Sequence, residues 1–171
     1  MKKKISSWHI GISAEAFVAA QLARFGIDVS VQYGPNQPEY DLIATHGDQM
    51  LKISVKGSQD GGWGLTQGYI KNGDYHKAIE LWLAAHGEKT VFCLVQFKGT
   101  EENEMPRIYL ARPSEIAEEL HKARNGAGET VLREYHEWTS RSVAAGTTDS
   151  IPKEWKLTKE RIEYFMNNYT I

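Results

Sequence analysis

The sequence predicts an α/β fold in which helices flank a mixed β-sheet. Three observations carry this expectation. Apolar residues repeat at helical spacing near the start, in the middle and at the end of the chain, and short runs rich in Ile, Leu, Val and Tyr lie between them. A Gly47-Asp48 pair separates two of those runs, the signal of a tight hairpin. The resulting order, α-β-β-β-α-β-β-α, suits one mixed sheet with helices packed on it.

The first helix is expected over 11–26. Ala14, Phe17, Val18, Leu22 and Phe25 make its apolar stripe, Ser13 stands where a cap belongs, and Gly26 stops it. Glu15 lies on the flank of that stripe, where its plainest role is to complement the helix dipole. Residues 27–31 read as a strand. The runs 39–44 and 51–57 then form the hairpin. With Gly47 and Asp48 as loop residues, Ile43 faces Lys52, Asp41 faces Ser54 and Glu39 faces Lys56. Residues paired across an antiparallel ladder share a face, with Cβ atoms about 5 Å apart. Glu39, Asp41, Lys52, Ser54 and Lys56 would line one face, and Tyr40, Leu42, Leu51, Ile53 and Val55 the core face. The plain reading of such an alternating face is a solvated surface with Glu39–Lys56 as a cross-strand ion pair.

Residues 57–68 form a glycine-rich stretch around Trp63. No Gly-Lys-Ser/Thr closes it, so it is not a Walker-type phosphate loop. Trp63 is expected to pack over the sheet while the glycines make turns. The alternative puts Trp63 or Gln59 against a substrate beside Lys56. A helix follows over 74–86, with Ile79, Trp82 and Leu83 on its apolar side, then strands over 89–96 and 107–111. The next helix starts at Pro113 or Ser114 and runs to Arg124, burying Ile116, Ala117 and Leu120. Residues 130–138 read as strand or helix, and 144–152 as loop by composition. Thr158 caps a last helix with Ile162, Phe165, Met166 and Tyr169 on one stripe.

The 171 residues, 41% hydrophobic and 25% charged, are expected to form one domain, with its core over about 10–125 and an extension over 126–171 packed on it. A net charge of −2 excludes a generally basic nucleic-acid binder and leaves room for a local basic patch. The single Cys93 sits in the apolar run 91–95 and reads as a buried thiol in a reducing, cytoplasmic setting. No stretch is long and apolar enough for a membrane span. The lysines at 2–4 read as a solvated tail. Six histidines show no zinc-ligand spacing, and no nucleophile elbow or dinucleotide fingerprint occurs.

A helix carrying Glu15, a strand, a strand carrying Asp41 in Tyr40-Asp41-Leu42-Ile43, and a strand ending in Val55-Lys56-Gly57 together resemble the PD-(D/E)XK nuclease superfamily. The likeness covers roughly residues 10–100 and is nearest to its small Holliday-junction-resolvase-like domains. It implies a restriction-endonuclease-like mixed sheet flanked by helices, and metal-dependent hydrolysis of DNA phosphodiester bonds. Asp41 would be the principal ligand of Mg²⁺ or Mn²⁺, and Glu15 a direct or water-mediated one. Lys56 would orient or activate the water, or stabilise the transition state. The sequence departs from the family pattern at Ser54, which stands where a second acid is expected; Glu39 and Glu15 are the carboxylates that could replace it. Two other readings stay open: a nuclease-fold protein that binds nucleic acid or a protein partner without catalysis, and an unrelated α/β module whose matching residues are surface salt bridges. A homodimer is compatible with any of these.

Overall fold

The computed structural model of the protein describes residues 4–32, 39–87 and 89–169. Helix α1 (Ser7–Arg24) begins at Ser6, whose hydroxyl accepts the His9 N–H at 3.3 Å. The helix therefore starts ahead of the expected Gly11, and Ser6, not Ser13, caps it. Gly26 ends it in the left-handed region at φ 81°, where glycine carries no steric penalty. The lysines at 2 and 3 lie outside the described residues, and Lys4 pairs with Asp60 at 3.5 Å.

Strands β1 (Asp28–Val31), β2 (Leu42–His46), β3 (Gln49–Ser58), β4 (Gly62–Gly64), β5 (Thr90–Gln96) and β6 (Arg107–Ala111) follow, with α2 (Tyr75–Ala85) between β4 and β5. Five of them make a mixed sheet in the order β1-β2-β3-β5-β6. Only β3 and β5 run parallel; the other neighbours are antiparallel. The parallel pair needs a crossover, and the segment holding β4 and α2 supplies it. The hairpin turn is Gly47-Asp48 as expected, so His46 pairs with Gln49, Thr45 with Met50 and Ile43 with Lys52.

The ladder stops at Leu42–Ile53, earlier than the sequence suggests. Asp41 and Glu39 precede β2, so neither the Asp41–Ser54 nor the Glu39–Lys56 pair forms. Tyr40 also departs from expectation. Its ring lies 5.2 Å from the Lys52 ammonium, on the polar side of the hairpin rather than in the core.

Helix α3 (Pro113–Lys122) leads to β7 (Val131–Arg133), which pairs with β4. Strands β8 (Tyr135–Glu137) and β9 (Thr148–Ser150) form a two-stranded ribbon, so part of the expected 144–152 loop is strand. Thr158 caps α4 (Lys159–Tyr169), accepting the Arg161 N–H at 3.1 Å.

The sheet is covered on both faces. Ala14, Val18 and Leu22 of α1 and Ile162, Phe165 and Met166 of α4 pack on Leu42, Leu51, Ile53, Val55, Val91 and Cys93. On the other face Trp63, Ile79, Trp82, Ile116 and Leu120 pack on Phe92 and Leu94. The three buried α4 side chains contribute on the order of 5–9 kcal/mol of apolar burial before entropy. The C-terminal segment is thus part of the main core. Cys93 is fully buried, and its thiol is pushed up from the ordinary range by that burial. Among the described residues no helix is long and apolar enough to cross a membrane.

Candidate functional site

Three elements meet where β2 leaves β3. Beyond Leu42 the edge of β3 loses its partner strand, and its N–H groups need other acceptors. Asp41 supplies one. Its backbone N–H still donates to the Ile53 carbonyl at 2.8 Å, but its side chain turns into the gap, where Oδ2 accepts the Val55 N–H at 2.6 Å. The carboxylate is thereby fixed in orientation with its remaining lone pairs unspent on that bond. The Asp41 carbonyl accepts the Gln32 N–H at 2.9 Å, which holds β1 to the same point.

Lys56 is the next residue along this edge and is exposed. Its carbonyl accepts the Trp63 indole N–H at 3.0 Å, and the same N–H also reaches the Val95 carbonyl at 3.3 Å. Trp63 is 3% exposed, so it packs over the sheet as expected and pins the backbone beneath Lys56.

Glu15 arrives from α1. The helix can sit this close because Gly57 has no side chain: a Cβ there would lie 2.7 Å from Ile10 Cγ2 and 3.0 Å from Ala14 Cβ. Glu15 is half-buried, and burial is the main reason its carboxyl titrates above the ordinary range. The charge of Asp41 raises it further, and the Lys56 ammonium pulls it partly back. Asp41 and Lys56 thus both act electrostatically on Glu15. Asp41 lies at an open strand edge, not opposite Ser54 in a regular hairpin ladder. Ser54 is 2% exposed, so it is not part of a solvated surface. Glu39 is exposed and lies before the strand.

This donor set fits a small divalent cation. Mg²⁺ is commonly held by one or two carboxylates, with water and substrate phosphate completing its shell. The charge of Asp41 opposes ionisation of Glu15, and a cation beside Glu15 would reverse that. Asp41 and Glu15 would hold the ion. Among the described residues no group of three or more His, Cys, Asp or Glu side chains is placed to hold a metal ion.

Two grooves adjoin the site and share Gly11. One, of about 550 Å³, is lined by Trp8, Ile12, Glu15, Ala16, Ala19 and Val31 among others. The second, also about 550 Å³, runs past Lys56, Gln59, Trp63 and Gln67. Sequence reasoning missed Trp8, because the helix was expected to start after it, and Gly57, whose position directly after Lys56 was the available signal. No protein-family model matches the chain, and no relative is found among curated proteins.

Proposed function

We propose that the protein is a metal-dependent nuclease that hydrolyses DNA phosphodiester bonds, with Glu15, Asp41 and Lys56 as its working residues. The observation that carries the reading is that Asp41, held at the open strand edge by the Val55 N–H, and Lys56 both act electrostatically on Glu15 of α1, which burial and Asp41 hold above its ordinary proton affinity. The likeness of these residues and their order to the PD-(D/E)XK pattern supports it. A bound Mg²⁺ or Mn²⁺ would supply the activated water and neutralise phosphate charge. Asp41, locked by the Val55 N–H, presents a preset carboxylate at the metal position. Lys56, exposed at the open edge, reaches a phosphate oxygen as a point charge. A buried lone thiol suits a reducing compartment such as the cytoplasm.

A second reading, a nuclease fold that binds nucleic acid without cutting it, draws on Ser54, a neutral side chain where the family pattern has an acid. Cleavage of linear DNA with Mg²⁺ or Mn²⁺, run beside thermal melting with the same ions, separates the two. The nuclease reading expects metal-dependent cleavage and a metal-dependent rise in Tm, both abolished in Asp41→Asn. Lys56→Ala should cut poorly yet keep the Tm response. DNA binding with neither cleavage nor a metal response would establish the second reading instead.

A further inference from the structure

Trp8 stands apart from the other tryptophans. Trp63, Trp82 and Trp155 are at most 3% exposed and Trp138 is half-buried, whereas Trp8 is 66% exposed. It lies on the same stripe of α1 as Glu15, with Gly11, Ile12, Ala16 and Ala19, and the stripe lines one groove. Ile12 is 48% exposed, and Ile5, just before the helix, is 50% exposed. Single exposed apolar residues need no explanation, but a contiguous strip beside a candidate catalytic acid does.

We infer that this strip is a stacking platform for an unpaired base of the DNA strand being cut, so that the substrate is single-stranded DNA or a single-stranded flap. The inference rests on the nuclease reading for the position of the cut, and on the platform alone for binding. Within a duplex, base faces are covered by their neighbours and are reached only at an unstacking cost of about a few kcal/mol per step, whereas an unpaired nucleotide offers its face to the indole freely. Seven residues separate Trp8 from Glu15, about 10 Å along the helix at 1.5 Å per residue. The stacked base therefore lies at most about three nucleotides from the phosphate at Glu15 and Asp41, given a rise of roughly 3.4 Å or more per nucleotide. At a net charge of −2, and with Glu15 the one charged residue lining the groove among the described residues, the contact is assigned to stacking and not to phosphate attraction.

The test is fluorescence anisotropy with a labelled single-stranded oligonucleotide and its duplex, in EDTA and in the Asp41→Asn background, so that neither metal nor cleavage enters. Single strand should bind at least tenfold more tightly than duplex. Trp8→Ala should weaken single-strand binding by about 5- to 150-fold, the equivalent of 1–3 kcal/mol per stacked base. Duplex binding should not change, and Trp8→Phe should restore most of the loss. Trp8 is exposed, so the variants should fold, and circular dichroism melting checks this. Equal binding of single strand and duplex, no DNA binding at all, or unchanged affinity in Trp8→Ala would each overturn the inference. So would a dimer in sedimentation that Trp8→Ala dissociates, which would assign the strip to a second copy of the chain. The two proposals fail separately: Trp8-dependent binding with no cleavage in any metal sinks hydrolysis alone, and Trp8-independent cleavage sinks the platform alone.

Discussion

Gly57→Ala tests how α1 is seated. A methyl at this position would meet Ile10 Cγ2 at 2.7 Å, Ala14 Cβ at 3.0 Å and the Ile10 carbonyl oxygen at 3.0 Å. Ile10 is 5% exposed and Ala14 is fully buried, so neither side chain has open space to retreat into. Two of the three contacts are backbone or Cβ atoms, and only a movement of the helix relieves them. Gly57 is not among the residues with positive φ, so the backbone itself accepts alanine. Without the clash, alanine in a strand interior would be favoured by roughly 0.5–1 kcal/mol. Overpacking typically costs about 1–3 kcal/mol, so a net loss of about 1–2 kcal/mol is expected. At about 2–4 °C per kcal/mol for a chain of this size, Tm should fall by about 2–8 °C. Calorimetry, or urea melts with an unchanged m-value, would read it. Adding Ile10→Ala removes the closest contact, and the double variant should be less damaged than the sum of the singles by about 1 kcal/mol or more. A Gly57→Ala protein as stable as the wild type, or more stable, would refute the close seating of α1 and with it the delivery of Glu15 to the site.

Glu15→Gln should raise Tm at pH 7 and leave it unchanged near pH 4. A carboxyl whose folded proton affinity is raised stabilises the fold only while protonated, so its contribution falls as pH rises from the unfolded through the folded titration range. His121 should give the opposite slope. Burial first, then the neighbouring His76, lower its proton affinity, against a smaller opposing pull from Glu80. The fold therefore loses stability as pH drops below about 6.5. His76 and His121 face each other Nδ1 to Nδ1 at 2.7 Å, which needs one donor and one acceptor, so His121→Gln should flatten the Tm profile between pH 7 and 5.5. Glu134 receives Arg107 at 2.6 and 2.8 Å and the Tyr109 hydroxyl at 2.6 Å, tying β6 to the β7–β8 link. Glu134→Ala should destabilise by about 2 kcal/mol in urea melts, because charge-assisted partners are left unpaired.

The hairpin turn was legible because Gly47-Asp48 is local turn chemistry, and three residue pairs followed from it. The failure at Asp41 has a physical cause. An aspartate can replace a ladder partner with its own side chain, and the alternation of polar and apolar residues carries no trace of that exchange. The start of α1 was misplaced because Ser-Trp-His-Ile has little helical propensity of its own. Burial of Ile10 against Gly57 draws that turn into the helix, a contact 47 residues distant in the chain. Strand β9 has three residues alternating exposed, intermediate, exposed. Its pairing with β8 is a backbone event that side-chain pattern does not encode. The helices over 74–86 and 113–124 were legible because their stripes are long enough to establish a period.

The burial of Ser54 bears on how the proposed site is built. It is 2% exposed and stands beside Phe92, 1% exposed, across the parallel β3–β5 pair. A carboxylate here would carry its charge into apolar surroundings, at a cost that only a nearby cation or donor could offset. The position is neutral in this chain, and the proposed site takes its second carboxylate, Glu15, from α1. A hairpin carrying both acids would set their spacing through local register alone. Here the spacing is set by tertiary packing, through Ala14, Val18 and Leu22 buried on the sheet and through the bare Cα of Gly57. The seating of α1 therefore bears on both the stability of this side of the core and the placement of Glu15, and any change that lifts α1 disturbs the two together.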